Sequence, residues 1–331
     1  MAVFRHSSCQ GHSIVSSLAS VYFYDRALDP VDHTAEVLAG LRAEERYISP
    51  KFFYDKRGSH LFTEITHQPE YYLTRVETSL LRDHSQEIGQ LIGDEIMLIE
   101  YGSGSSTKIR ILLENLRPSI YAPLDISRDY LAEAAEALGR EYPWLEVHAT
   151  CVDFTGDFEL PLPGEQRRVS FFPGSSIGNF EREEAASFLS RVRQLVGENG
   201  GLLLGVDLKK DEEILNAAYN DAAGVTAAFN LNVLRHLNRT CGTDFDPAQF
   251  THLARYNPDL GCVQMFLVSE TGQTITAAGE VFDFEPGEMI HTENSHKYTT
   301  EEIETMARRA GFEDIRTWRD PKNLFAVFYL S

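Results

Sequence analysis

Between residues 94 and 208 the chain alternates short apolar runs with helical patterns, and few folds accept that alternation. Ile96, Met97, Leu98, Ile99 and Glu100 read as a buried strand. A turn of Gly102, Ser103, Gly104, Ser105, Ser106 and Thr107 follows, then a helix in which Ile109, Leu112, Leu113 and Leu116 fall on one face. A second unit repeats the plan. Residues 120–124 form a strand ending at Asp125, Ser127 caps a helix with Leu131, Ala134, Ala135 and Leu138 on one side, and Gly139 is placed at its end. Residues 145–151, 168–172 and 201–208 supply further strands, with a helix over 181–196. Strands and helices at this spacing predict a parallel, doubly wound α/β sheet with its ligand crevice at the carboxyl ends.

The C-terminus closes differently. Thr299 and Glu302 form a capping box before a helix carrying Ile303, Met306 and Ala310, closed by Gly311, and two strands follow over 312–318 and 324–330. A terminal hairpin after five parallel units resembles the Rossmann-like seven-stranded sheet of class I methyltransferases. Residues 211–295 break the alternation: one long helix through 216–230, then two strands over 262–270 and 273–284 joined at Thr271 and Gly272. The expected division is an arm over 1–30, a smaller α+β substrate-binding domain from 31–75 plus 211–295, and the sheet domain from 76–210 plus 296–331.

Charge narrows the partners. Lys+Arg 30 against Asp+Glu 50 leaves a net charge of −20 with no basic patch, which repels nucleic acid and anionic membrane alike. The four cysteines, Cys9, Cys151, Cys241 and Cys262, show neither CxxC nor metal-ligand spacing, so neither a disulfide framework nor a metal site is expected. No apolar run approaches the length of a transmembrane helix, and residues 1–30 lack a signal-peptide pattern. A monomer in the reducing cytoplasm is the expectation.

A Gly-rich turn after a strand lets a ligand approach the backbone, and an acid at the end of the next strand can accept both ribose hydroxyls. Gly102 and Gly104 supply the turn, and Asp125 lies 125 − 104 = 21 residues on. Nicotinamide and S-adenosylmethionine sites share this logic, so the pair alone does not choose. Two details favour S-adenosylmethionine: Glu100 stands two residues before Gly102, giving E-x-G-x-G, and Thr107 occupies the place of the third dinucleotide glycine. Asp153 and Phe154, at the end of the third strand, suit an adenine, and Lys108 is a cation available to the methionine carboxylate.

Four longer strings carry a more specific signal: Pro50-Lys51-Phe52-Phe53-Tyr54-Asp55, Pro69-Glu70-Tyr71-Tyr72-Leu73-Thr74-Arg75, Gly174-Ser175-Ser176-Ile177-Gly178-Asn179, and the run from Tyr219 through Asp221, Gly224 and Phe229 to Asn230. From about residue 35 onward the chain resembles the L-histidine Nα-methyltransferases of ergothioneine biosynthesis. The resemblance implies trimethylation of L-histidine to hercynine through mono- and dimethyl intermediates, with S-adenosylhomocysteine as the other product. It further implies that Asn179, Tyr71 and Tyr219 hold the amino-acid end, with Gly174 and Tyr54 beside the amine. Glu293 and Ser295 would grip the two imidazole nitrogens, and Met265 would shape the wall. The residues agree in one respect: in an extended segment over 291–297, Glu293 and Ser295 share a face. Tyr101 and Pro173 depart from the family pattern without removing a polar contact.

Because the sulfonium methyl is already activated, the chemistry asks chiefly for positioning, and Tyr54 is the candidate for orienting the amine. Rival readings are a tryptophan-type methyltransferase, which would lack the acid and hydroxyl at 293 and 295, a nicotinamide enzyme, and a non-catalytic binding protein that would have lost the cofactor acids.

Overall fold

The computed structural model describes residues 21–26, 33–104, 107–156, 158, 160 and 162–331. Cys9, Ser105, Ser106 and most of the expected arm lie outside the described residues. The chain divides into two compact units. One comprises Leu73–Leu208, Tyr298–Ser331 and the described part of the first 29 residues; the other comprises residues 33–72 and Lys209–Lys297.

The first unit is built on an eight-stranded sheet whose strands, in spatial order, are Val21–Asp25, Glu146–Cys151, Ile120–Asp125, Ile96–Tyr101, Arg167–Phe172, Gly201–Asp207, Phe325–Leu330 and Ile315–Arg319. Neighbours are parallel as far as Gly201–Asp207, and Phe325–Leu330 then enters antiparallel. The order reverses beside Ile96–Tyr101. Met97, Ile99 and Tyr101 share one core with Phe188, Leu189 and Val192 of the helix Arg182–Val196, while the helices Ser85–Ile92 and Thr107–Leu116 pack on each other. Burial explains the apolar runs: every residue of Ile96–Tyr101, Ile120–Asp125 and Gly201–Asp207 is buried. The helix Thr107–Leu116 turns Ile109, Leu112, Leu113 and Leu116 inward, as its periodicity predicts. The capping box at Thr299 and Glu302 is present, with both reciprocal bonds made.

Three local expectations are corrected. Gly139 does not end its helix, which runs Arg128–Glu141 with Gly139 buried inside it. The segment read as one helix through 216–230 is two, Glu212–Tyr219 and Val225–Thr240. The break has a cause: Asp221 Oδ2 accepts the Val225 N–H at 2.8 Å, Oδ1 accepts the Thr226 N–H at 2.7 Å, and Gly224 between them has φ 71°. An aspartate that satisfies the first free N–H groups of a helix starts a new one. Residues 273–284 are likewise a hairpin of Gln273–Ala277 and Glu280–Phe284, turned at Ala278 and Gly279 with φ 49° and 85°, in a sheet separate from Cys262–Ser269. Two consecutive positive-φ residues mark a tight hairpin turn, a signal the long β-rich run concealed.

Part of the expected arm is structural. Val21–Asp25 pairs in parallel with Glu146–Cys151; Val21 and Phe23 are buried, and Tyr22 and Tyr24 stack on His148 with centroids 4.6 and 5.8 Å apart.

The second unit holds a three-stranded antiparallel sheet, Met289–His296, Cys262–Ser269 and Phe250–Asn257, beside the helix Val225–Thr240. The strings that carry the resemblance tie it together. Asp55 accepts the Gly58 N–H at 2.7 Å and Asn232 Nδ2 at 2.8 Å, and pairs with Arg239. Glu70 accepts the Ala222 N–H at 3.1 Å, and Asn230 donates to the Phe266 carbonyl at 2.9 Å. Phe229 packs among Phe53, Tyr54 and Phe62. Replacing Asp221 with alanine strips the second helix of its cap, and we expect a loss of about 2 kcal/mol, read as a lowered midpoint in urea with an unchanged slope.

Candidate functional site

In the first unit the polar groups gather where the parallel strands end. Gly102 and Gly104 turn the chain after Ile96–Tyr101 with φ 67° and 48°, and a Cβ built on Gly102 would lie 3.8 Å from the Phe154 ring. The positive φ at both positions explains why glycine stands there. The Gly102 and Ser103 N–H groups bond the Leu124 carbonyl, which fastens the turn to the neighbouring strand. Asp125 Oδ2 accepts the Gly104 N–H at 3.1 Å and Oδ1 the Ser127 N–H at 2.9 Å. Burial raises its carboxyl pKa, and the N–H bonds from Ser127 and Gly104 pull the other way. The Ile126 backbone and the Ser127 side chain also hydrogen-bond this carboxylate.

Glu100 is fully buried, and burial pushes its pKa up to about 8 against the opposing pull of the Tyr121 hydroxyl and the Lys108 charge. Asp153 Oδ1 accepts both the N–H and the hydroxyl of Thr155, at 3.0 and 2.6 Å, a turn that fixes Phe154 beside it. Tyr101, the departure from the family pattern, meets the Phe154 ring edge-on at 5.6 Å. It thus braces that ring.

The sequence missed Glu77. Wholly buried on the helix Tyr72–Asp83, it pairs with Lys108 and accepts the Gly174 N–H at 2.9 and 3.0 Å on its two oxygens. A Cβ on Gly205 would come within 2.0 Å of its carboxylate, which is why that strand position is glycine. Lys108 is therefore a held cation rather than a solvated one. Asn179, in the turn Ser176–Asn179, and Gly174 belong to this unit, and Ser175 Oγ accepts the Asp207 N–H at 2.9 Å.

An adenosyl cofactor is tested here by what the loop leaves open. The Ser103 hydroxyl, inside the Gly102–Gly104 turn, is buried without a hydrogen-bond partner. The residues fit: Glu100, Gly102, Gly104, Lys108, Asp125, Asp153 and Phe154 would hold it.

In the second unit, Glu293 and Ser295 lie on Met289–His296, buried and two apart, with Met265 directly across from Glu293. The bulge in that strand falls between His291 and Glu293, so alternation is intact from Glu293 onward. Ser295 Oγ is 2.7 Å from the Tyr219 hydroxyl, and both accept Lys297 Nζ at 2.9 Å. Tyr219 is anchored again through its carbonyl, which lies 2.9 Å from His252 Nε2, while His252 Nδ1 faces Asn230. Burial lowers the His252 pKa, and neutral histidine suits one donor and one acceptor. Tyr71 is buried against the Tyr219 ring, and Tyr54 is half-buried against Phe62 and Phe229.

The raised pKa of Glu100 has a signed consequence. The folded protein keeps its proton up to about pH 8 while the unfolded chain releases it near the ordinary glutamate value of 4.5, so stability falls as pH rises through that window. A Glu100→Gln variant lacks the proton to lose. Thermal melts between pH 5 and 8 should show wild type declining relative to the variant; parallel curves would contradict the assignment.

Residues 33–331 match the family model described as histidine-specific methyltransferase, SAM-dependent. The histidine N-alpha-methyltransferase of Mycolicibacterium smegmatis is 41% identical over 94% of this chain and 98% of that protein. Its namesake in Mycobacterium tuberculosis is 38% identical over 88% and 92%. Ergothioneine biosynthesis protein 1 of Neurospora crassa is 32% identical over 92% of this chain and 35% of that protein. Among solved structures the chain is similar to the CcbJ methyltransferase of Streptomyces caelestis, at 14% identity and a TM-score of 0.43 over 75% of this chain and 88% of that one. With a match that spans nearly its whole length, the chain belongs to the histidine-specific, S-adenosylmethionine-dependent methyltransferases.

Proposed function

We propose that this protein methylates the α-amine of L-histidine three times to give hercynine, the first step of ergothioneine biosynthesis. The observation that carries the reading is the buried face of Met289–His296, where a carboxylate and a hydroxyl stand two residues apart. Neutral imidazole has one N–H donor and one lone-pair acceptor, and Glu293 with Ser295 answers both. The names of the relatives in the two mycobacterial species and in Neurospora crassa support the same substrate and pathway.

Bound S-adenosylmethionine supplies an activated methyl group on a sulfonium. The chain's own residues have the task of placement. By the resemblance, Tyr71, Tyr219 and Asn179 would hold the amino-acid end, Tyr54 and Gly174 would serve the amine, and Met265 would limit the ring. Tyr54 orients the neutral amine, whose proton leaves to water or through the phenol, so no strong base is needed. The substrates are histidine and its mono- and dimethyl intermediates, met by a monomer in the cytoplasm, a reducing compartment that suits the buried free thiols of Cys151, Cys241 and Cys262.

The product decides the matter. With excess cofactor, mass spectrometry should show histidine gaining three methyl groups, all on the α-nitrogen. A reaction that stops at the monomethyl stage, or that methylates the ring, would contradict the proposal.

A further inference from the structure

Lys297 is absent from the residues the sequence singles out, yet it follows directly on the strand that carries Glu293 and Ser295, and it is wholly buried. Its ammonium lies 2.9 Å from Ser295 Oγ and 2.9 Å from the Tyr219 hydroxyl, which are 2.7 Å from each other, and 4.8 Å from the Tyr219 ring centre. The three groups close a triangle.

Proton counting gives the triangle a direction. An ammonium only donates, so both oxygens spend a lone pair on Lys297. Two hydroxyl protons remain, and one of them makes the bond between Tyr219 and Ser295. The phenol is the stronger acid and the better donor, which directs that proton from Tyr219 to Ser295. Ser295 Oγ then accepts two bonds, from Lys297 and from Tyr219, and both its lone pairs are used. It has nothing left to offer except its own O–H. Without the ammonium a lone pair returns, and the hydroxyl can turn to face a ligand as donor or as acceptor.

We propose that Lys297 is a positioning residue that holds Ser295 as an obligatory hydrogen-bond donor, so that this face reads the bare nitrogen of a neutral imidazole. The inference rests on the reading of Ser295 as a substrate contact. Ser295 donates to the unprotonated nitrogen, Glu293 accepts from the protonated one, and a ring lacking a bare nitrogen leaves the Ser295 proton unpaired. A buried polar group left unpaired is what gives such sites strong discrimination.

The test is a double-mutant cycle with L-histidine as the probe, comparing wild type, Lys297→Met, Ser295→Ala and the double variant. Steady-state kinetics, binding of S-adenosylhomocysteine and thermal midpoints would be measured for each. Lys297→Met should raise KM for histidine about 10- to 50-fold with kcat changed less than about threefold, the scale of one buried hydrogen bond, and leave S-adenosylhomocysteine affinity intact. In the Ser295→Ala background the same substitution should add less than about threefold, because the group through which it acts is gone. Lys297→Gln keeps a donor and should fall between wild type and Lys297→Met, which also covers the case in which the methionine variant fails to fold. Effects that multiply in full in the double variant, or an unchanged KM in Lys297→Met, would overturn the inference. An unchanged KM in Ser295→Ala would overturn the substrate-site reading itself, and the inference with it.

Discussion

A parallel sheet covered on both faces can present polar chemistry only at its ends, and that constraint organises the first unit. Ile96–Tyr101, Ile120–Asp125 and Gly201–Asp207 are buried along their whole lengths, so Glu100, Asp125 and Asp207 sit at the last or next-to-last position of their strands. Burying charge there requires compensation. Asp125 receives it from backbone N–H groups of the turns it fastens and from the Ser127 side chain, Glu100 from keeping its proton, and Glu77 from Lys108 and the Gly174 amide.

The second unit solves a different problem. Its sheet is small, so polar ties between distant segments carry much of its definition. Asp55, Glu70, Asp221 and Asn230 each reach a backbone group or a charged partner on another turn or element. Much of what makes the resemblance strings distinctive is thus scaffold. That scaffold holds Tyr219 from two sides, by His252 at its carbonyl and by Ser295 and Lys297 at its hydroxyl.

The parallel sheet was legible because its signals are local: apolar runs of strand length, helical periodicity, and glycines before an acid at fixed spacing. Residues 273–284 and the helix break at Asp221 were not, since β-rich composition and an unbroken helical pattern each hid a turn set by one or two residues. The glycine turn and the acid that fastens it could be read from spacing, whereas Glu77 could not. It sits 31 residues before Lys108 on an otherwise ordinary amphipathic helix, and only the folded sheet brings the two together. Lys297 did have a signal, the alternation that pairs Glu293 with Ser295 carried one step further, but a lysine at the end of a strand reads as solvated until its burial is seen.

The central claim is that the Glu293 carboxylate is what makes the second unit read histidine. Isothermal titration of L-histidine and L-tryptophan in the presence of S-adenosylhomocysteine, for wild type and Glu293→Ala, tests it directly. The account requires wild type to bind histidine and reject tryptophan, and the variant to lose about 2 to 4 kcal/mol toward histidine alone. Histidine affinity that survives the substitution within twofold would contradict it.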